Sequence, residues 1–242
     1  MRDKILEYVK SQEVELGGVI DIPGKGPSAI LTAGLIPTLL DCGETAFAER
    51  CADWLVANQR HDGAWLNHSG LVEAFDVAYI ARGMNAARYR MGDSADSYQE
   101  ASDRAVFHVG AYKLNDPLCC IQFDAAMGKT PVVPQTFALT ARTQWLLIAA
   151  EALPKRSQKM IVNLVRGVRR PDGLVCFNMA GDSSDIAATA MLGVLEPSMA
   201  KGMIQAIEPW VNADGSLPVI AGTPDKSTWV SKYVLDLYKA AE

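Results

Sequence analysis

The feature that most constrains this chain is an internal repeat. Asp-Gly recurs at Asp62-Gly63, Asp172-Gly173 and Asp214-Gly215, each time after an amphipathic run and before a short extended stretch. Those stretches are Ala64 to Leu66, Leu174 to Phe177 and Ser216 to Ile220, and Gly17-Gly18-Val19-Ile20-Asp21 reads as a degenerate first copy. Behind each turn a second helix is expected, and these helices align with one another. They read Ser28-Ala-Ile-Leu-Thr-Ala-Gly34, Asp76-Val-Ala-Tyr-Ile-Ala-Arg82, Thr136-Phe-Ala-Leu-Thr-Ala-Arg142, Asp185-Ile-Ala-Ala-Thr-Ala-Met191 and, more loosely, Thr228-Trp-Val-Ser-Lys-Tyr-Val234. Ser, Thr or Asp always opens the segment, as an N-cap should, because those side chains accept from the unpaired amides of a first helical turn. Ala stands five residues later in four copies and Thr four residues later in three. Small residues at fixed spacing let neighbouring helices approach closely, which a stack of repeated hairpins needs at every step.

Between these segments lie amphipathic helices expected at 3–12, 45–59, 97–112, 157–169 and 198–211, with charged outer faces. The expected fold class is therefore all-α: five helical hairpins, inner helices apolar and outer helices amphipathic, closed into an α/α toroid forming one domain over 1–242. The proline-containing stretch 113–134 reads as a loop over one mouth of such a ring. A content of 49% hydrophobic residues excludes disorder. A net charge of -5, with no Lys/Arg block longer than a pair such as Arg169-Arg170, excludes a general nucleic-acid binder. No apolar run reaches membrane-span length, the charged start lacks a signal-peptide core, and an odd set of five cysteines (Cys42, Cys51, Cys119, Cys120, Cys176) fits free thiols, so a cytoplasmic location is expected. His61, His68 and His108 fit no metal spacing, and Gly24-Lys25-Gly26-Pro27 is not a phosphate-binding loop, so neither metal nor cofactor is expected.

The segment from Arg50 to Trp65, with Trp54, Gln59, Gly63 and Trp65 at their spacing, resembles the Gln-Trp repeat of the α/α-toroid superfamily of terpenoid cyclases and protein prenyltransferases, related in shape to six-hairpin glycosidases. In that repeat the Gln is expected to satisfy backbone groups at the next helix's start, with the Trp stacked beside it. The cyclases' Asp-x-Asp-Asp is absent, Asp182-Ser-Ser-Asp185 being the nearest string, and no Asp-x-Cys pair for prenyltransferase zinc occurs.

In a toroid the inner-helix N-termini gather at one mouth, and their free amides favour an anionic ligand. Arg82 and Arg142 occupy equivalent repeat positions and are candidate substrate clamps, or else pair with Glu73 and Glu151. Asp76 and Asp185, at inner-helix starts, are the candidate catalytic acids, with Glu73 or Asp182 as a second carboxylate, although the same slot serves as a cap. His68, in a polar loop before an inner helix, is a candidate general acid or base. Trp65, Tyr79, Trp145 and Trp229 are candidate stacking surfaces or core. Asp62, Asp172 and Asp214 belong to turns. Three readings stay open: an enzyme acting by carboxylate acid/base chemistry on an anionic glycan or other small ligand, an isoprenoid-binding relative of the cyclases, and a non-catalytic scaffold. Nothing in the sequence sets the oligomeric state.

Overall fold

The computed structural model of the protein describes residues 1–14, 16–91, 95–111, 117–130, 142–179, 181 and 183–242. Among them lie eleven α-helices: α1 (Arg2–Ser11), α2 (Ala29–Asp41), α3 (Thr45–Ala57), α4 (Ala74–Arg90), α5 (Ala95–Gly110), α6 (Pro117–Ala126), α7 (Thr143–Ala152), α8 (Lys155–Arg166), α9 (Ile186–Leu195), α10 (Ala200–Ile207) and α11 (Thr228–Ala240). Two antiparallel pairs of two-residue strands accompany them: β1 (Glu13–Val14) with β2 (Gly18–Val19), and β3 (Val175–Cys176) with β4 (Ser184–Asp185). The chain forms two compact units, Gln12–Pro134 and Met1–Ser11 with Gln135–Glu242. In the first, α2, α4 and α6 pack in a row, with α3 on α2 and α5 on α4. In the second, α7, α9 and α11 form the row, flanked by α8, α10 and α1.

The row helices are apolar on most sides. α9 buries Ile186 to Gly193 without interruption, and α2 buries Leu31 to Ile36. Their small residues permit close approach: a Cβ on Gly83 of α4 would meet the Ala33 carbonyl of α2 at 2.8 Å. The flanking helices bury one stripe each, as Ile161, Val162 and Val165 do on α8.

Recurring hydrogen bonds close several of the repeats. The Asp62, Asp172 and Asp214 carboxylates accept the backbone N–H two residues on, at 3.2, 3.0 and 3.0 Å, holding the turns. The following glycines need positive φ, and at Gly63 and Gly215 a Cβ would also strike the backbone of α5 at Arg104 and of α1 at Lys4. The recurring Thr joins the extended stretch to the helix. Thr189 Oγ1 donates to the Asp185 carbonyl (2.6 Å) and accepts the Val175 N–H (2.9 Å). Thr32 does the same with the Ser28 carbonyl (2.8 Å) and Val19 N–H (3.1 Å). Ser28 and Asp185 cap α2 and α9 through the N–H groups of Leu31 and Ala188.

Four expectations shift. α4 begins three residues early, with Glu73 at the cap, so Asp76 lies in its first turn. The cap of α11 is Ser227, accepting from Val230, and Thr228 is the first helical residue. Thr136 lies outside the described residues; the helix of that repeat starts at Thr143 with Arg142 at the cap, so Arg142 does not occupy the repeat position of Arg82. The stretch 113–134 contains a helix, α6. Pro117 starts it, where a missing N–H costs nothing, and buried Cys119, Ile121 and Gln122 anchor it in the row beside α4. Its apolar residues are too few, between flanking prolines, to show a helical period in the sequence. None of the five cysteines forms a disulfide, Cys51 and Cys119 being buried.

Candidate active site

In the Gln12–Pro134 unit the site is built on the start of α4. Asp76 is half-buried, and among the described residues no hydrogen bond reaches its carboxylate. Desolvation first, and the charge of Glu73 second, push its pKa up to about 6. Glu73 is exposed at the cap, and its Oε1 accepts from Asn67 Nδ2 at 2.9 Å. That bond ties the α4 start to the 67–71 loop, where Asn67 Oδ1 also accepts the N–H groups of Ser69 and Leu71. His68 is exposed in this loop. One turn into α4, Tyr79 is 3% exposed, stacked on Phe75 at 6.3 Å and covered by the Arg82 guanidinium at 5.2 Å. Arg82 donates to Gln122 Oε1 of α6 at 3.0 Å, which ties α4 to α6. A carboxyl whose pKa is raised to about 6, accessible and beside an ionisable neighbour, keeps its proton in mildly acidic solution and is equipped to donate it to a bound oxygen.

In the other unit Asp185 is 0% exposed. Its Oδ1 accepts the Ala188 N–H (2.8 Å) and its Oδ2 accepts from Gln144 Nε2 of α7 (2.8 Å). Desolvation nevertheless dominates and raises its pKa to about 6, against these hydrogen bonds and the charge of Arg142. Enclosed and fully employed, Asp185 joins α9 to the start of α7 and presents no atom to a substrate. Asp182 lies outside the described residues. Arg142 is exposed, with its guanidinium 4.8 Å from the centre of the Phe177 ring, and its segment is pinned by Thr143, whose N–H and Oγ1 donate to the carbonyls of Phe177 and Cys176. A helix expected from Thr136 puts Gln144 two turns from its start, so the sequence gives no sign of its bond to Asp185.

Trp65 is 2% exposed, and its indole N–H donates to the Leu55 carbonyl of α3 at 2.8 Å, so it is a core residue and not a stacking platform. Gln59, expected to reach the next helix's start, donates to the carbonyls of Gly63 (2.9 Å) and of Ala101, within α5 (2.8 Å), and accepts from Arg104. Trp229 is half-buried with its ring edge-on to Tyr233 at 5.2 Å; Trp145 is half-buried on α7. Among the described residues no cluster of three His, Cys, Asp or Glu is placed to hold a metal ion, and no helix is long and apolar enough to cross a membrane.

No family model matches the chain and no curated protein matches it in sequence. Solved structures do match over nearly its whole length. A glycosidase superposes with a TM-score of 0.69 at 12% identity, covering 99% of this chain and 95% of that one. A protein described as a novel alpha-amylase from Clostridium perfringens gives 0.69 at 9% identity, with 99% and 96% covered. An unsaturated glucuronyl hydrolase from Streptococcus agalactiae, complexed with dGlcA-GalNAc6S, gives 0.63 at 12% identity, with 99% and 89% covered. These are α/α toroids, and the fold of this all-α chain is theirs. At such identities the likeness establishes architecture, and chemistry has to be argued from side chains.

Proposed function

We propose that this protein is a glycan-acting enzyme and that Asp76 is its proton donor. The observation that carries the reading is the half-buried, unbonded Asp76 carboxyl with its pKa near 6. Glycoside hydrolysis needs one carboxyl that holds its proton to give to the leaving oxygen and a second carboxylate to activate water or attack carbon. Glu73, at the same helix start, is the proposed second carboxylate. His68 stands in the loop bonded to Glu73 and is proposed to contact substrate there, not to transfer the proton. Asp185 is read as a buried cap that ties α9 to α7 through Gln144, with no part in proton transfer.

The finer part of the proposal is an anionic sugar as substrate. The free amides of the α4 start and the Arg82 guanidinium further along the same helix favour a carboxylate or sulfate. The structural neighbour complexed with dGlcA-GalNAc6S supports the same class. The test is release of reducing ends from paired panels of uronyl-containing and neutral oligosaccharides. The expected result is cleavage of the acidic panel, reduced about 10²–10⁴-fold in Asp76→Asn. Cleavage of neither panel, or wild-type rates in Asp76→Asn, would refute it.

A further inference from the structure

We propose that the exposed face of α8 is a docking surface for an anionic phospholipid bilayer. Between residues 155 and 170 the chain carries Lys155, Arg156, Lys159, Arg166, Arg169 and Arg170, with no Asp or Glu, in a protein whose net charge is -5. Helical spacing gathers Arg156, Lys159 and Arg166 along the solvent side of α8, over about 15 Å at 1.5 Å per residue. Several cations elsewhere are paired with carboxylates: Arg50 with Glu13, Arg90 with Asp41, Arg104 with Glu100, Lys226 with Asp214, Lys232 with Asp236. Arg156, Lys159 and Arg166 have no carboxylate partner among the described residues, and Lys155 bonds only the Gln158 side chain, at 3.0 Å. Glu196 is the one carboxylate in the adjoining groove of about 250 Å³ lined by Lys155, Gln158 and Lys159.

Two apolar tips stand among these cations. Met160 is 60% exposed and Leu164, one turn on, 37%. The opposite side of α8 is spent on the core through Ile161, Val162 and Val165, so these tips are not part of the packing stripe. A bilayer interface takes both kinds of group, since apolar tips enter the headgroup boundary while long cationic side chains reach phosphate. A soluble polyanion would satisfy the cations and leave Met160 in water. No Trp, Tyr or Phe lies on α8 to stack against a sugar or a base.

The test is co-sedimentation of the full chain with vesicles of phosphatidylcholine alone or with one quarter phosphatidylserine. Binding is expected only to the serine-containing vesicles and is expected to vanish at high salt, where exposed charges are screened. Each neutralised cation should weaken partitioning about five-fold, from about 1 kcal/mol per charge, so Arg156→Gln/Lys159→Gln/Arg166→Gln should lose about 100-fold while keeping its helical circular dichroism and melting temperature. Met160→Ser/Leu164→Ser should weaken binding and leave its salt dependence. Equal binding to both vesicle types, undiminished binding by the triple variant, or retention on a polyuronate or nucleic-acid matrix without vesicle binding would overturn the proposal.

Discussion

Asp185→Asn is the perturbation whose size the structure sets most directly. The carboxyl is 0% exposed, and its pKa stands at about 6 against an ordinary 3.8. At 1.36 kcal/mol per pH unit that difference is worth roughly 3 kcal/mol. Because the folded pKa lies above the unfolded one, the folded state holds the proton more tightly. The contribution is fully present below about pH 3.8 and is lost as pH rises through about 6. Asn keeps the oxygen that accepts the Ala188 N–H, and Gln144 can turn its amide to present oxygen to the new NH₂ group. The variant therefore removes the ionisation penalty and retains the cap. Urea unfolding followed from pH 4 to pH 8 should show the wild type losing up to about 3 kcal/mol more than Asp185→Asn across that range, with the variant the more stable of the two above pH 7. Asp76, raised in the same direction, contributes its own slope to both proteins. A variant less stable at pH 8, or with the wild-type pH slope, would refute the assignment of Asp185 as a buried, penalised cap.

Three further outcomes follow from the repeat. Thr189→Val removes the acceptor of the buried Val175 N–H and should cost about 1–3 kcal/mol by urea unfolding, with Thr32→Val costing a similar amount at Val19. Gly63→Ala places a Cβ at positive φ against the Arg104 carbonyl and should destabilise by more than about 1 kcal/mol in the same assay. Trp65→Ala should cost about 3–5 kcal/mol of stability, and Trp65→Phe, which loses the bond to Leu55 and leaves a smaller void, about 1–3 kcal/mol. If Trp65→Phe instead impaired glycan turnover at unchanged stability, its place as a core residue would be wrong.

Much of the fold was legible because the repeat states its own physics. An Asp that accepts an N–H two residues on, a Gly with positive φ, and a Thr bridging strand and helix each leave a residue type at a fixed offset. Where that signature is missing, the reading drifts. α4 lacks the bridging Thr, and Asp76, a cap by residue type, lies in its first turn while Glu73 caps it. α6 is short and begins at a proline, so composition masked it as a loop. The Asp76 site was half legible: the carboxyl was visible, but the packing that raises its pKa comes from tertiary burial that no local pattern encodes. Trp65 misled for the opposite reason, since a Trp beside a loop carries no mark of the Leu55 carbonyl that takes its N–H into the core. The cations of α8 are scattered along the sequence and become a stripe only at helical pitch.

The central claim is that Asp76 donates the proton in glycan cleavage, and the pH profile of kcat/KM on a uronyl oligosaccharide tests it most directly. Activity should fall as pH rises above about 6, when the donor loses its proton, and an Asp76→Asn variant should be about 10²–10⁴-fold slower with that limb gone. A profile unchanged by Asp76→Asn would contradict it.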